Sequence, residues 1–406
     1  MQKFEKHSPV VVTEVTTKHE LRQFMQYPNR LYADNPNYIP SFYGDDLSDW
    51  TPGKNPAFDY CEARCWLARR DGEIVGRIGA ILSHKANDKF GTHRMRFSQV
   101  DFVDDSEVSA ALFGTVERWA REKGCDQVHG PLGFTDMDRE GMLVEGFDRR
   151  SLFFTNYNAP YYLEHLTRLG YRKDVDWIEY RITVPEPGGA EAERLHKLSE
   201  FILKRKHLHV ATVHHKSEYG PFVRQVFELV NAAYAPLYGV VELSDEQIER
   251  YANKFIPLVD PDFVCFVVDE QDQLVAFGVT ALDPSVALKH SDGRLFPFGW
   301  AGVLNDLHHS DTLIMLLTAV RPDLQTEGIN AVMMDHVCQS CNRHGVHFAE
   351  TGPMLELNDH ILAQWKRLEK EQHKRRRCFI KDLDHDVNAA NAAAAQTETP
   401  ETESAK

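Results

Sequence analysis

The stretch LIMLLTAVRPDLQTEGINAVMMDHVCQSC, residues 313 to 341, decides how the chain is read. Leu313 to Val320 is an apolar run of strand length, and Pro322 ends it because proline cannot donate to a ladder. Gln325, Thr326, Glu327, Gly328, Ile329 and Asn330 then open a helix that runs to about Arg343, with Gly345 just past its end. A buried strand that turns directly into a helix leaves main-chain N–H groups unpaired at the positive end of the helix dipole, where phosphate oxygens are favoured. Gly328 has no side chain to hold such a ligand away.

Reading outward from this unit, residues 221–384 form helices near Phe222 to Ala233 and Asp245 to Phe255. Strands Phe263 to Asp269 and Leu274 to Leu282 follow, joined across Glu-Gln-Asp-Gln as a hairpin. After the central unit come strand Val346 to Glu350, a helix from Asp359 to about Lys370 and a last strand, Cys378 to Leu383. Residues 1–184 repeat the order. A hairpin turns at Asp71-Gly72, a dipeptide that accepts positive φ. Strand Arg96 to Val103, a helix capped by Ser106 and strand Asp126 to His129 come next. A glycine-rich excursion, Gly130 to Phe147, carries Asp136, Asp138, Arg139 and Glu140 and is expected to cover the cleft between the halves. The break Pro185-Glu-Pro-Gly-Gly189 opens a linker, 185–220, and the Ala-, Thr- and Glu-rich residues 385–406 are expected to be a disordered tail. The fold expected is α/β, a mixed sheet built twice.

Gln325 and Gly328 stand where the GNAT superfamily of acyl-CoA N-acyltransferases has its diphosphate loop: Gln or Arg, two variable residues, Gly, one more, then Gly or Ala. The segment from Phe222 to Leu383 resembles that family in motif and in element order, and Asn330 departs from it at the last position. The resemblance implies tandem GNAT-like domains, as in certain bacterial proteins. Acetyl-CoA or another acyl-CoA would be the co-substrate, bound by Ala319, Val320, Gln325, Thr326, Glu327, Gly328, Ile329, Asn330 and Asn358. It also implies direct attack of an amine on the thioester, with main-chain N–H groups of Ala319 and Val320 polarising the carbonyl, Glu350 as base and Tyr238 as acid. The helix that normally carries the family's tyrosine has Trp365 instead. In the first half Asp104-Asp105-Ser106 replaces the loop, and two carboxylates there oppose phosphate, so residues 1–184 are expected to be a degenerate copy. A non-catalytic GNAT-like binding protein, or an aminoacyl or peptidyl transferase of the tandem cell-wall type, are the alternatives.

Composition bounds the partners. With 46 basic and 61 acidic residues the formal charge is -15, which repels polyphosphate at long range, so nucleic acid is not expected. No apolar run reaches bilayer length and the opening residues lack a signal-type apolar segment, so neither membrane nor export is expected. Seven cysteines, an odd number in a long chain, fit a reducing cytoplasm. Cys338 and Cys341 lie late in a helix and His207 and His209 lack a third ligand, so no metal is expected. The partner expected is a small-molecule amine.

Overall fold

The computed structural model describes residues 8–383. The tail expected after Asp384 lies outside the described residues. In the first half the elements are β1 (Val11–Glu14), α1 (Lys18–Leu31), α2 (Tyr43–Asp49), β2 (Cys61–Arg70), β3 (Glu73–Ser83), α3 (His84–Phe90), β4 (Arg94–Phe102), α4 (Ser106–Glu122), β5 (Gln127–Gly130), β6 (Met142–Glu145), α5 (Tyr161–Arg168) and β7 (Arg172–Thr183). The connecting helix α6 (Ala190–Lys206) leads to β8 (His209–Val210), α7 (Gly220–Tyr234), α8 (Asp245–Phe255), β9 (Val264–Val268) and β10 (Leu274–Leu282). Then come α9 (Ser285–His290), α10 (Gly299–His309), β11 (Thr312–Val320), α11 (Asn330–His344), β12 (Phe348–Thr351), β13 (Met354–Leu355), α12 (Asp359–Gln364) and β14 (Lys370–Asp382).

Local chemistry explains several of these elements. Asp71 and Gly72 both take positive φ, 53° and 85°, which matches the twist of the β2–β3 hairpin they close. Thr17 and Glu20 form a reciprocal capping box at the start of α1. In α4, Val108, Leu112, Val116, Trp119 and Ala120 share one buried face, which packs against Phe97, Phe102 and Trp66 of the sheet. The cap of that helix is Asp105, with Ser106 as its first residue.

The strands join in one sheet, in the order β1-β2-β3-β4-β5-β14-β7-β12-β11-β10-β9-β8. The sequence puts the last strand in the second half. In the structure β14 lies between β5 and β7, with Phe379 opposite Gly130 and Cys378 opposite Val175. Strand β7 in turn pairs with β12, Glu350 opposite Arg181. Each half therefore completes its sheet with the other's final strand.

Charged side chains are buried at this seam. Lys374, Arg376 and Glu179 are fully enclosed. Lys374 Nζ stands 3.3 Å from Glu179 Oε2 and 3.2 Å from Glu350 Oε2, while Arg376 donates to the other oxygen of Glu179 and to the carbonyl of Asn156. Burial pushes the Glu179 carboxyl up, yet Arg376 and Lys374 outweigh it and hold the group below the usual range.

Candidate active site

Two features of β11 create the site. Strands β10 and β11 pair with Val279 opposite Leu317 and Thr280 opposite Met315, so Leu316 is an extra residue in a bulge. The bulge reverses the alternation of faces: Leu313 and Met315 pack toward α11 before it, whereas Leu317 and Ala319 pack toward α7 after it. Pairing of β11 with β12 stops at Met315 and Thr351, so the two strands part where the bulge begins.

A cavity lies on each face of this opening, and Met315, Leu317, Thr318 and Trp365 line both. On the α11 face is an apolar slot of about 90 Å³ walled by Leu195, Met333, Met334, Val337 and Leu368. On the α7 face is a cavity of about 200 Å³ that Asp136, Glu140, Tyr234, Tyr238 and Asn358 line. Asp136 and Glu140 come from the first half, on the excursion expected to cover the cleft. Thr135 and Asp138 tie that segment to Tyr251 of α8, the hydroxyls of Thr135 and Tyr251 lying 2.6 Å apart.

Electrostatics on the two faces differ. Burial pushes the Asp136 carboxyl up to about 6, and burial together with the charge of Asp136 raises Glu140 well above the carboxylate range. Burial raises the Tyr234 phenol to about 12, and its hydroxyl donates to Thr318 O at 2.8 Å. Burial also raises Tyr238, whose hydroxyl donates to Asp174 at 2.5 Å and lies 2.9 Å from His129 Nδ1.

The diphosphate candidates Gln325, Thr326, Glu327 and Gly328 lie exposed in the loop before α11, and Ile329 is buried beneath them. No side chain caps α11, and the N–H groups of Ala331 and Val332 turn back to the carbonyls of Gly328 and Ile329 at 2.9 Å. Gly328 has φ 80°, and a Cβ there would stand 3.2 Å from Ile202 of α6. The two acids of the loop are paired, Asp323 with Arg321 at 2.8 Å and Glu327 with Lys206 at 2.7 Å. In the first half the matching positions are filled: Asp105 accepts from the N–H groups of Glu107 and Val108 and is held by Arg70 at 2.5 Å. The first half also has a β4 bulge, at Gln99, but its opening is bridged by the N–H of Leu132 on Phe97 O.

The remaining candidates are spread more widely. The N–H of Arg321 bonds to Val275 O, so Ala319, two residues earlier and opposite Phe277, turns its N–H toward β10 as well. Val320 turns its N–H to the open side. Asn330 lines the apolar slot, and Asn358 both caps α12 through Ile361 N and lines the polar cavity. Glu350 lies at the seam, paired with Lys374, and lines neither cavity. The sequence signal for Asp136 and Glu140 was the density of acids in a long ordered loop.

No family model matches the chain. Protein YghO of Escherichia coli K12 is 27% identical over 379 residues, 92% of this chain and 95% of that protein. The bacterial ceramide synthase of Caulobacter vibrioides is 28% identical over 300 residues, 72% of this chain and 75% of that one. Among solved structures, a tandem GNAT protein from the clavulanic acid biosynthesis pathway superposes with a TM-score of 0.53 at 13% identity, covering 93% of this chain and 99% of the other. A GCN5-related N-acetyltransferase from Sphaerobacter thermophilus gives 0.50 at 12% identity, covering 93% and 97%. With its bulged and parted central strands and its two matching halves, the chain has the tandem GNAT fold.

Proposed function

We propose that the protein transfers an acyl group from acyl-CoA to an amine. The diphosphate lies at the loop before α11, the thioester reaches the gap between β11 and β12, and the amine approaches from the polar cavity. The observation that carries this reading is the pair of cavities meeting at Met315, Leu317 and Thr318, one apolar and one acidic. Main-chain N–H groups on the open edge of β11, Val320 among them, are placed to polarise the carbonyl. Asp136 and Glu140 attract the ammonium form of the acceptor. Asp136, with a value near neutrality, then takes its proton, a task that suits it better than the ion-paired Glu350.

The donor and acceptor are long-chain molecules in this reading. A wall of Leu, Met and Val side chains suits an aliphatic chain, and one relative is named a bacterial ceramide synthase. A ceramide is the amide of a fatty acid with a long-chain amino alcohol. The test is release of free CoA thiol from acetyl-CoA and palmitoyl-CoA in the presence of sphinganine. Release from palmitoyl-CoA that depends on sphinganine, with N-acyl product detected by mass spectrometry, supports the reading. Equal rates with and without any amine refute it.

A further inference from the structure

We propose that His129, Asp174 and Cys378 form a binding site for one zinc ion that staples the exchanged strands together. The three residues lie far apart in sequence, but they stand on β5, β7 and β14, consecutive neighbours at the seam where the halves trade strands. Their nitrogen, oxygen and sulfur ligand atoms all lie within 4.8 Å of one another. Tyr238 supplies a fourth donor from the loop after α7. Its hydroxyl is 2.9 Å from His129 Nδ1, 2.5 Å from Asp174 Oδ2 and 3.5 Å from Cys378 Sγ.

Four donors around one point suit tetrahedral zinc, whose ligands at ~2.0–2.3 Å stand roughly 3.3–3.8 Å apart. His129 Nδ1 and Asp174 Oδ2 are already 3.9 Å apart, so the phenol oxygen is the atom that must move outward. A set of imidazole, thiol and one carboxylate excludes magnesium and calcium, which require mostly oxygen. His129 and Cys378 are both buried. Two cations face the site, Arg94 at 3.8 Å from Asp174 and Arg96 near His129, so the ion's charge must be balanced locally. Ionisation of Cys378 does this: zinc enters, the thiol proton leaves, and the thiolate with the Asp174 carboxylate offsets both positive charges. A closed site made of protein donors is of the structural kind, so its role is to hold β14 between β5 and β7.

The test uses the full chain, incubated with zinc sulfate, gel-filtered into metal-free buffer and measured by elemental mass spectrometry. One zinc per chain and a raised melting temperature are expected. His129→Ala and Cys378→Ser should each retain less than a tenth of that zinc, and His207→Ala/His209→Ala, which alters exposed histidines, should retain all of it. In the cobalt-loaded chain a thiolate-to-cobalt charge-transfer band is expected, absent from Cys378→Ser. Should the serine variant fail to fold, Asp174→Asn is measured in its place with the same expectation. A wild-type chain that leaves the column without zinc, or variants that hold as much as wild type, overturns the proposal.

Discussion

Half-buried Asp136 and fully enclosed Lys374 show how differently two shielded charged groups work. Asp136 is raised from its ordinary value of 3.8 to about 6 by burial. Below 3.8 both folded and unfolded chains are protonated there and nothing is gained or lost. Between 3.8 and about 6 the unfolded chain ionises first, so folding is penalised, and the penalty is complete above 6. Asp136→Asn should therefore stabilise the fold at pH 8, by on the order of 2–3 kcal/mol, and leave it unchanged at pH 3. The same change should lower kcat/KM by roughly 10²–10⁴-fold and abolish its rise through pH 6, which melting curves and pH profiles on one preparation would check together. Lys374 is matched on both sides, by Glu179 and Glu350. Lys374→Met leaves Glu350 without its lysine and Glu179 with Arg376 alone, and should cost about 3–5 kcal/mol in urea unfolding. Neither role was legible in the sequence, because burial against a residue of the other half is what sets each apart. The place of Gln325 and Gly328 in the loop between β11 and α11 was legible, since a loop between a buried strand and a helix is set by local order.

At the scale of elements, the bulge in β11 matters most. Removing Leu316 restores simple register with β10 while Leu317 and Ala319 keep facing α7, so the bulge at which β11 and β12 part is lost and the gap closes. The deletion should keep the far-ultraviolet circular dichroism of the fold while losing at least a hundredfold in acyl transfer, a loss measured by CoA thiol release. The β2–β3 hairpin and α4 could be read from sequence because Asp71-Gly72 and the apolar face of Val108, Leu112 and Val116 are local signals. The helix expected from Asp359 to Lys370 ends instead at Gln364, since Lys370 already pairs with Ile182. The α9–α10 pair gave no such signal. It is fixed by contacts distant in sequence, such as Lys289 Nζ on the carbonyls of Asn35 and Tyr38 at 2.5 and 2.9 Å.

For the whole molecule, strand exchange makes the two halves one folding unit. A chain ended before Lys370 lacks β14 and bares the edges of β5 and β7, so it should be recovered as aggregate while the full chain unfolds in a single transition. The exchange of β7 and β14 was not legible, because strand pairing is a long-range property and a last strand carries no mark of which sheet it joins. The exchange also delivers Asp136 and Glu140 to a cavity whose other wall is β11, so the acceptor side needs both halves. A crystal structure of the chain grown with CoA tests this arrangement most directly. The account predicts diphosphate oxygens on main-chain nitrogens between Gln325 and Asn330, with the thiol in the gap beside Leu316. CoA bound at Asp105, or anywhere else outside that gap, would contradict it.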